Sequence, residues 1–249
     1  MMKNEKNKRG ELTTTQLVTI IILIVSFIII LFLIFRLNPG EQTNKEICHN
    51  SVVLRAKSAV FAGPLDCRTN YLCISGGDDC SFVSASKIEV DLNKNDAEDK
   101  IKEFLAKEMA DCWYMFGEGK VSYEGGFTER SVHCAVCSIV EFDEKIQEKF
   151  PKITYSELYD YLRKTKRENS QTYLKYLYDV NEVSLIPDAE YFNLQLDKEI
   201  DTSVKHSILT GVDMNIKLIF GEKDRYLSVF IIPTVETSST ECKEFITKP

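Results

Sequence analysis

The chain has 249 residues, with 31 basic and 38 acidic side chains and a net charge of −7. Residues 1–36 are basic on balance, so the remainder carries −10. That excess of acid excludes a nucleic-acid surface, which needs a positive footprint for phosphate.

The tail of residues 1–16 holds Lys3, Lys6, Lys8 and Arg9 against Glu5 and Glu11. Leu17 to Phe35 follows, nineteen residues without a charge. As a helix it would cover roughly 28 Å, close to the ~30 Å apolar core of a bilayer. It is apolar on every face, so no polar stripe is left to meet water. The sequence predicts one membrane-spanning helix over 17–35, with the lipid bilayer as its partner. The basic flank predicts a cytoplasmic N-terminus and an exterior C-terminal domain at the cell membrane. A cleaved secretory signal is the rival; its apolar run would be shorter and followed by an A-x-A-like site, whereas Asn38-Pro39-Gly40 is a helix stop. A retained signal anchor is the expectation.

The run KRGELTTTQLVTIIIL resembles the start of archaeal type IV pilin-like precursors, in which cleavage follows a basic residue and glycine. Arg9, Gly10 and the apolar helix carry the likeness. Thr15 and Gln16 stand near where that family has a glutamate. The resemblance implies a pilin-like subunit processed after Gly10.

All eight cysteines, Cys48, Cys67, Cys73, Cys80, Cys112, Cys134, Cys137 and Cys242, lie beyond the apolar helix. An even count confined to the segment expected outside the cell implies disulfides. The opposite topology would make them cytosolic thiols or metal ligands.

Residues 36–46 read as a short polar tether, and 47–249 as one exterior α+β domain, opening with a Cys-rich piece over 47–86. ICHNSVVLRAKSAVF fits a short helix or a strand equally. Gly76-Gly77-Asp78-Asp79 is a turn by composition, and KIEVDL, 87–92, alternates as a strand does. The main soluble helix is expected from about Asp96 to Phe116, with Asn95 and Glu98, or Asp96 and Asp99, capping its start. Ile101, Phe104, Leu105, Met109, Cys112, Trp113 and Phe116 form its apolar face, and Gly117 is placed to end it. After a turn at Gly125-Gly126, SVHCAVCSIVEF is a strand from about Ser131 to Phe142. Strict alternation puts Val132, Cys134, Val136, Val140 and Phe142 on one face, and His133, Ala135, Cys137 and Ile139 on the other. Thr154 and Glu157 open a helix as a capping box, and a second begins near Ser170 after the charged turn KTKREN. EYFNLQL, SVKHSILT, MNIKLIFG and YLSVFIIPT are expected strands, the last two joined by GEKDR. Helices in the middle and strands at the end predict a mostly antiparallel sheet covered by helices.

EMADCWYMFGEGK, CAVCSIVEFD and ECKEFITKP are similar to segments of uncharacterised single-pass membrane proteins of small-genome archaea. The resemblance implies membrane location and archaeal origin, and no chemistry.

No catalytic, cofactor or metal residue is expected. HCAVC, 133–137, offers Cys134 and Cys137 as a thiol–disulfide or metal pair. A lone Cys-x-x-Cys is half a zinc site, its His precedes the pair, and strand geometry sends the two cysteines to opposite faces. His49, His133 and His206 lack a G-x-S-x-G elbow for hydrolase chemistry. Asp78-Asp79 and the acids from Asp96 to Asp99 read as a turn and a helix start. The tyrosines between Tyr155 and Tyr178 suit helix packing, or a surface for peptide or glycan.

The sequence therefore predicts a membrane-anchored, disulfide-braced exterior domain that binds a protein or glycan. A thiol–disulfide or metal protein using Cys134 and Cys137 is the alternative. One pairing is specific: Cys112, on the apolar helix face, with Cys134, on the more apolar strand face. Cys137 would then need a distant partner such as Cys242 or Cys48. The competing pair, Cys112 with Cys137, requires a bulge that reverses the strand's faces.

Overall fold

The computed structural model describes residues 14–36, 40–57, 65–82, 85–121, 131–168, 171–186, 196–213 and 225–247. The chain divides into two compact units, one ending at Thr43 and the other beginning at Asn44. In the first, α1 spans Thr14–Arg36. Its side chains are described over 16–32, all exposed and apolar apart from Gln16, Thr19 and Ser26. Those seventeen residues cover about 26 Å, and among the described residues no helix is long and apolar enough to cross a membrane.

α2 runs Gly40–Lys57, so the stretch expected as a tether is helical from Gly40. Its Cys48 and Val52, four residues apart, are buried, while Lys45 joins Glu108 at 3.4 Å and Asp111 at 2.7 Å on α3, Ala97–Met115.

The second unit is α+β, built on a mixed, mostly antiparallel sheet with helices. Its strands are β1 (Asn70–Ser75), β2 (Ser86–Glu89), β3 (Val132–Phe142), β6 (His206–Asp213), β7 (Arg225–Pro233) and β8 (Glu244–Phe245), in the order β2-β1-β3-β6-β7 with β8 also beside β3. β1 is parallel to β2 and β3, and β6 is antiparallel to β3 and β7. A two-stranded sheet pairs β4, Lys152–Thr154, with β5, Glu199–Asp201. α4 (Glu144–Lys149), α5 (Tyr155–Lys164) and α6 (Tyr173–Tyr178) complete the set.

α3 buries Ile101, Leu105, Met109, Cys112 and Phe116 of its expected face, with Phe104 and Trp113 half-buried at its margins. Each large side chain so buried contributes about 1.5–3 kcal/mol. Asp96 is its N-cap without a side-chain bond, so neither expected capping pair forms there. Gly117 ends it at φ 76°, followed by Glu118 and Gly119, also left-handed. The Thr154–Glu157 capping box forms as expected.

The Cys-rich piece, to which the sequence assigned only a turn at residues 76–79, contributes β1 to the sheet between β2 and β3. Within it Leu72, Cys73, Ile74 and Ser75 are all buried, so the strand is covered on both faces at its C-terminal end. β3 is the keystone. Its C-terminal half pairs with β1, while His133 and Cys134 pair with β8 on the same edge. Between them Val136 is held by two threonine side chains: Thr69 donates to its carbonyl at 2.9 Å and Thr247 accepts from its N–H at 3.0 Å. Of the other expected elements, Gly125-Gly126, most of EYFNLQL and of GEKDR, MNIKLIFG and the Arg9-Gly10 cleavage position lie outside the described residues.

Candidate functional site: disulfides and a pocket beside the central strand

All eight cysteines are paired: Cys48–Cys67, Cys73–Cys80, Cys112–Cys137 and Cys134–Cys242, with Cα separations of 4.4, 5.8, 5.5 and 5.6 Å. The expected Cys112–Cys134 pair is thus corrected, and the competing pair forms. The reason is a register shift in β3 between Val136 and Ser138. A bulge places two successive side chains on one side. Cys137 bonds Cys112 of α3, and Ser138 donates to Glu108 of the same helix at 3.1 Å. Val140 and Phe142 therefore share the helix side with Cys137, whereas Cys134 and Val136, before the bulge, face away. The apolar face read by strict alternation joined two half-strands of opposite phase.

Cys134 and Cys137, fully buried in different disulfides on opposite sides of β3, form no redox or metal pair. Cys48 closes on Cys67 rather than on Cys137. Gly211, opposite Cys134 on β6, makes room for its bridge: a Cβ there would lie 2.6 Å from the His133 carbonyl and 3.3 Å from Cys134 Sγ.

The histidines sit apart in separate settings. His49 stacks on Tyr114, 4.2 Å between centroids, with Nδ1 2.7 Å from the Tyr114 carbonyl. His133 is buried, its Nδ1 3.1 Å from a Glu244 carboxylate oxygen and its Nε2 3.3 Å from the Ser131 hydroxyl. His206 is buried with Nδ1 3.0 Å from the Val204 carbonyl, and its edge-on neighbour is Phe142. Burial lowers its pKa to about 4.

Asp143 accepts four hydrogen bonds. It accepts from Gly76 N–H, Asp78 N–H and the Ser75 hydroxyl through one oxygen and caps α4 at Ile146 N–H through the other. Burial raises its pKa, but these bonds outweigh that and hold it below the ordinary value. It fixes the Gly76-Gly77 turn, where Gly77 has φ 128°. Asp78 and Asp79 pair with Lys145 and Lys87. Among the described residues no group of three or more His, Cys, Asp and Glu side chains is placed to hold a metal ion.

Of the tyrosines, Tyr155, Tyr159 and Tyr178 are buried packing residues, Tyr178 donating to the Val229 carbonyl at 2.5 Å. Half-buried Tyr176 donates to Glu118 at 2.7 Å and stacks under Arg167.

A surface pocket of about 240 Å³ opens on the side of β3 that faces away from α3. Val136, Ile139, Tyr71 and Ser207 line it from the strands, Thr234 and Thr237 from the 3₁₀ turn after β7 (Thr234–Ser239), and Thr69, Phe245 and Thr247 from the edge. None of these residues is charged. The hydroxyls are largely engaged within the protein: Thr69 and Thr247 with Val136, Thr237 with the Thr234 carbonyl at 2.8 Å, and Ser207 with Thr234 at 3.0 Å. What the threonines then offer the cavity is chiefly methyl. Beside it Lys205 lies over the Phe82 ring at 3.9 Å and bonds Ser81 at 2.9 Å, with Glu141 3.7 Å away.

These residues come from five separate stretches of the sequence and were not foreseen. No protein-family model, curated protein or solved structure matches the chain.

Proposed function

We propose that the protein is a membrane-anchored exterior domain that binds a macromolecular partner at the cell surface through the pocket beside β3. The observation that carries this reading is the complete pairing of eight cysteines, all downstream of the apolar run Leu17–Phe35. Four disulfides suit an oxidising compartment, and the basic flank of the run favours an N-terminus inside. The anchor rests on the sequence, whose nineteen uncharged residues are long enough for a bilayer core. The binding role rests on an uncharged concavity with a half-exposed Phe245 at its rim. A redox role loses support because Cys134 and Cys137 are buried in separate bridges.

Two measurements test it, the first on intact cells and the second on the isolated protein. External protease should digest the domain beyond residue 40, and an alkylating reagent applied to unreduced, denatured protein should add no mass. A protected domain, or eight alkylated thiols, would place the chain on the cytoplasmic side and end the proposal.

A further inference from the structure

We infer that the Cys134–Cys242 bridge is a redox latch: a dithiol reductant opens it and frees the strap 242–247, which uncovers one edge of β3 and removes a wall of the pocket while the rest of the domain stays folded. The latch regulates the pocket of the binding role proposed above and rests on that reading for its use. The protein is here the substrate of thiol–disulfide exchange, not its catalyst. Exchange needs access to a sulfur. Six of the eight cysteines are buried, and Cys80 and Cys242 are half-buried. Only the Cys73–Cys80 and Cys134–Cys242 bridges therefore offer a reachable sulfur. Their consequences differ. The first closes a span of 7 residues that Asp143 already holds through Gly76 N–H, Asp78 N–H and the Ser75 hydroxyl, so its thiols stay neighbours when it opens.

The second bridge ties down a segment with little else to hold it. Lys243 N–H donates to the Val132 carbonyl at 2.9 Å, Ile246 N–H to the Cys134 carbonyl at 2.8 Å, and Val136 N–H to the Thr247 hydroxyl at 3.0 Å. Glu244 reaches His133 at 3.1 Å. Lys243, Glu244 and Phe245 are exposed, so the strap buries little apolar surface. A few hydrogen bonds near water do not offset the entropy of ordering six residues once the tether is gone. The domain outlasts the strap, because the path β2-β1-β3-β6-β7 is complete without β8. The loss of a cross-link over 108 residues acts on the unfolded chain rather than on folded contacts. Release strips the Val132 and Cys134 carbonyls and the Val136 N–H of their strap partners and takes Phe245 and Thr247 from the pocket wall. The exchange balances. A thiolate of the dithiol attacks the Cys242 sulfur, the S–S bond breaks, and its electron pair leaves on Cys134, which takes up a proton. The second thiol of the reductant then displaces Cys242 from the mixed disulfide, giving two protein thiols and one oxidised dithiol.

The test uses the full chain in detergent without denaturant, with dithiothreitol as the probe reductant and alkylation followed by peptide mapping as the readout. Cys134 and Cys242 should become free thiols at least about tenfold faster than Cys48, Cys67, Cys112 and Cys137. In the protein so reduced, hydrogen exchange should rise about tenfold or more in the peptides carrying Val136 and residues 243–247, and stay unchanged in those of α3 and β6. Thr247→Val removes the acceptor for Val136 N–H and should speed strap exchange further in the reduced chain, with little effect in the oxidised one. Reduction of Cys112–Cys137 before or together with Cys134–Cys242, a strap as protected after reduction as before, exchange rising across α3 and β6, or an equal effect of Thr247→Val in both forms would each overturn the inference. None of these readouts needs a partner, so a failed latch and a failed binding role are told apart.

Discussion

Acid should weaken the folded domain in a pH window that belongs to His206. Its ring is fully buried against Phe142, one nitrogen bonds the Val204 carbonyl, and burial depresses its pKa from 6.5 to about 4. Asp201, the nearby carboxylate, offsets the depression only in part, and its own pKa is lowered by its bonds to Ser203. The unfolded chain therefore takes up a proton below about pH 6.5 that the folded chain refuses until about pH 4. Stability from this group is whole above the unfolded value and declines as pH falls between the two. At about 1.36 kcal/mol per unit, the full loss is about 3 kcal/mol, of which about 2 kcal/mol should appear between pH 7 and pH 5. Carboxylates titrate mainly below this interval, so the slope there reports on histidine. Urea unfolding of the disulfide-intact protein, followed by Trp113 fluorescence, measures it; Trp113 is the only tryptophan and lies on α3. In His206→Asn, whose amide can still donate to Val204, the slope should largely vanish. An equal slope in that variant, or a flat profile from pH 7 to 5 in the parent, would refute the assignment.

Gly211→Ala should cost about 1–3 kcal/mol, since the added methyl meets backbone of β3 and the Cys134 bridge; a thermal shift reads it, and an unchanged midpoint would contradict the packing. Asp143→Ala should cost at least about 2 kcal/mol by freeing three N–H donors and a hydroxyl. Because the Asp143 pKa is lowered, its contribution is present above the ordinary value near 3.8 and fades as pH falls further, a window below that of His206. Replacing Cys134 and Cys242 together by alanine should cost about 5 kcal/mol by the chain-entropy argument for a loop of 108 residues, against about 2 for Cys73 and Cys80 with 7. Comparison of the two denaturation midpoints checks the ranking. Non-reducing peptide mapping should recover Cys112 with Cys137 and no Cys112–Cys134 peptide.

Where local pattern and tertiary packing agreed, the fold was readable. The three- and four-residue spacing from Ile101 to Phe116, the stop at Gly117 and the Thr154–Glu157 box all act within a few residues, so sequence displays them. β3 was readable as a strand, but not in phase. A bulge leaves no mark in VHCAVCSIVEF, because the extra residue is accommodated by pairing with β6, far along the chain. The same long-range dependence hid β8, two residues that are a strand only because β3 has a vacant edge beside them. The pocket was illegible for a related reason. Thr69 and Thr247 line it because they satisfy the Val136 backbone, a contact between distant stretches that no local pattern displays.

The pairing of Cys134 with Cys242 also imposes a schedule on biosynthesis. Emerging N-terminus first, the chain can close its other three bridges within spans of 19, 7 and 25 residues. Cys134 must stay open until Cys242 arrives, 108 residues later. Cys112 meets Cys134 before it meets Cys137, so order of arrival alone favours the wrong bond. What protects the right one is position: once α3 and β3 pack, the bulge turns Cys137 toward the helix and Cys134 away. The central strand thus acts as its own proofreader, and the thiol it withholds is kept for a latecomer.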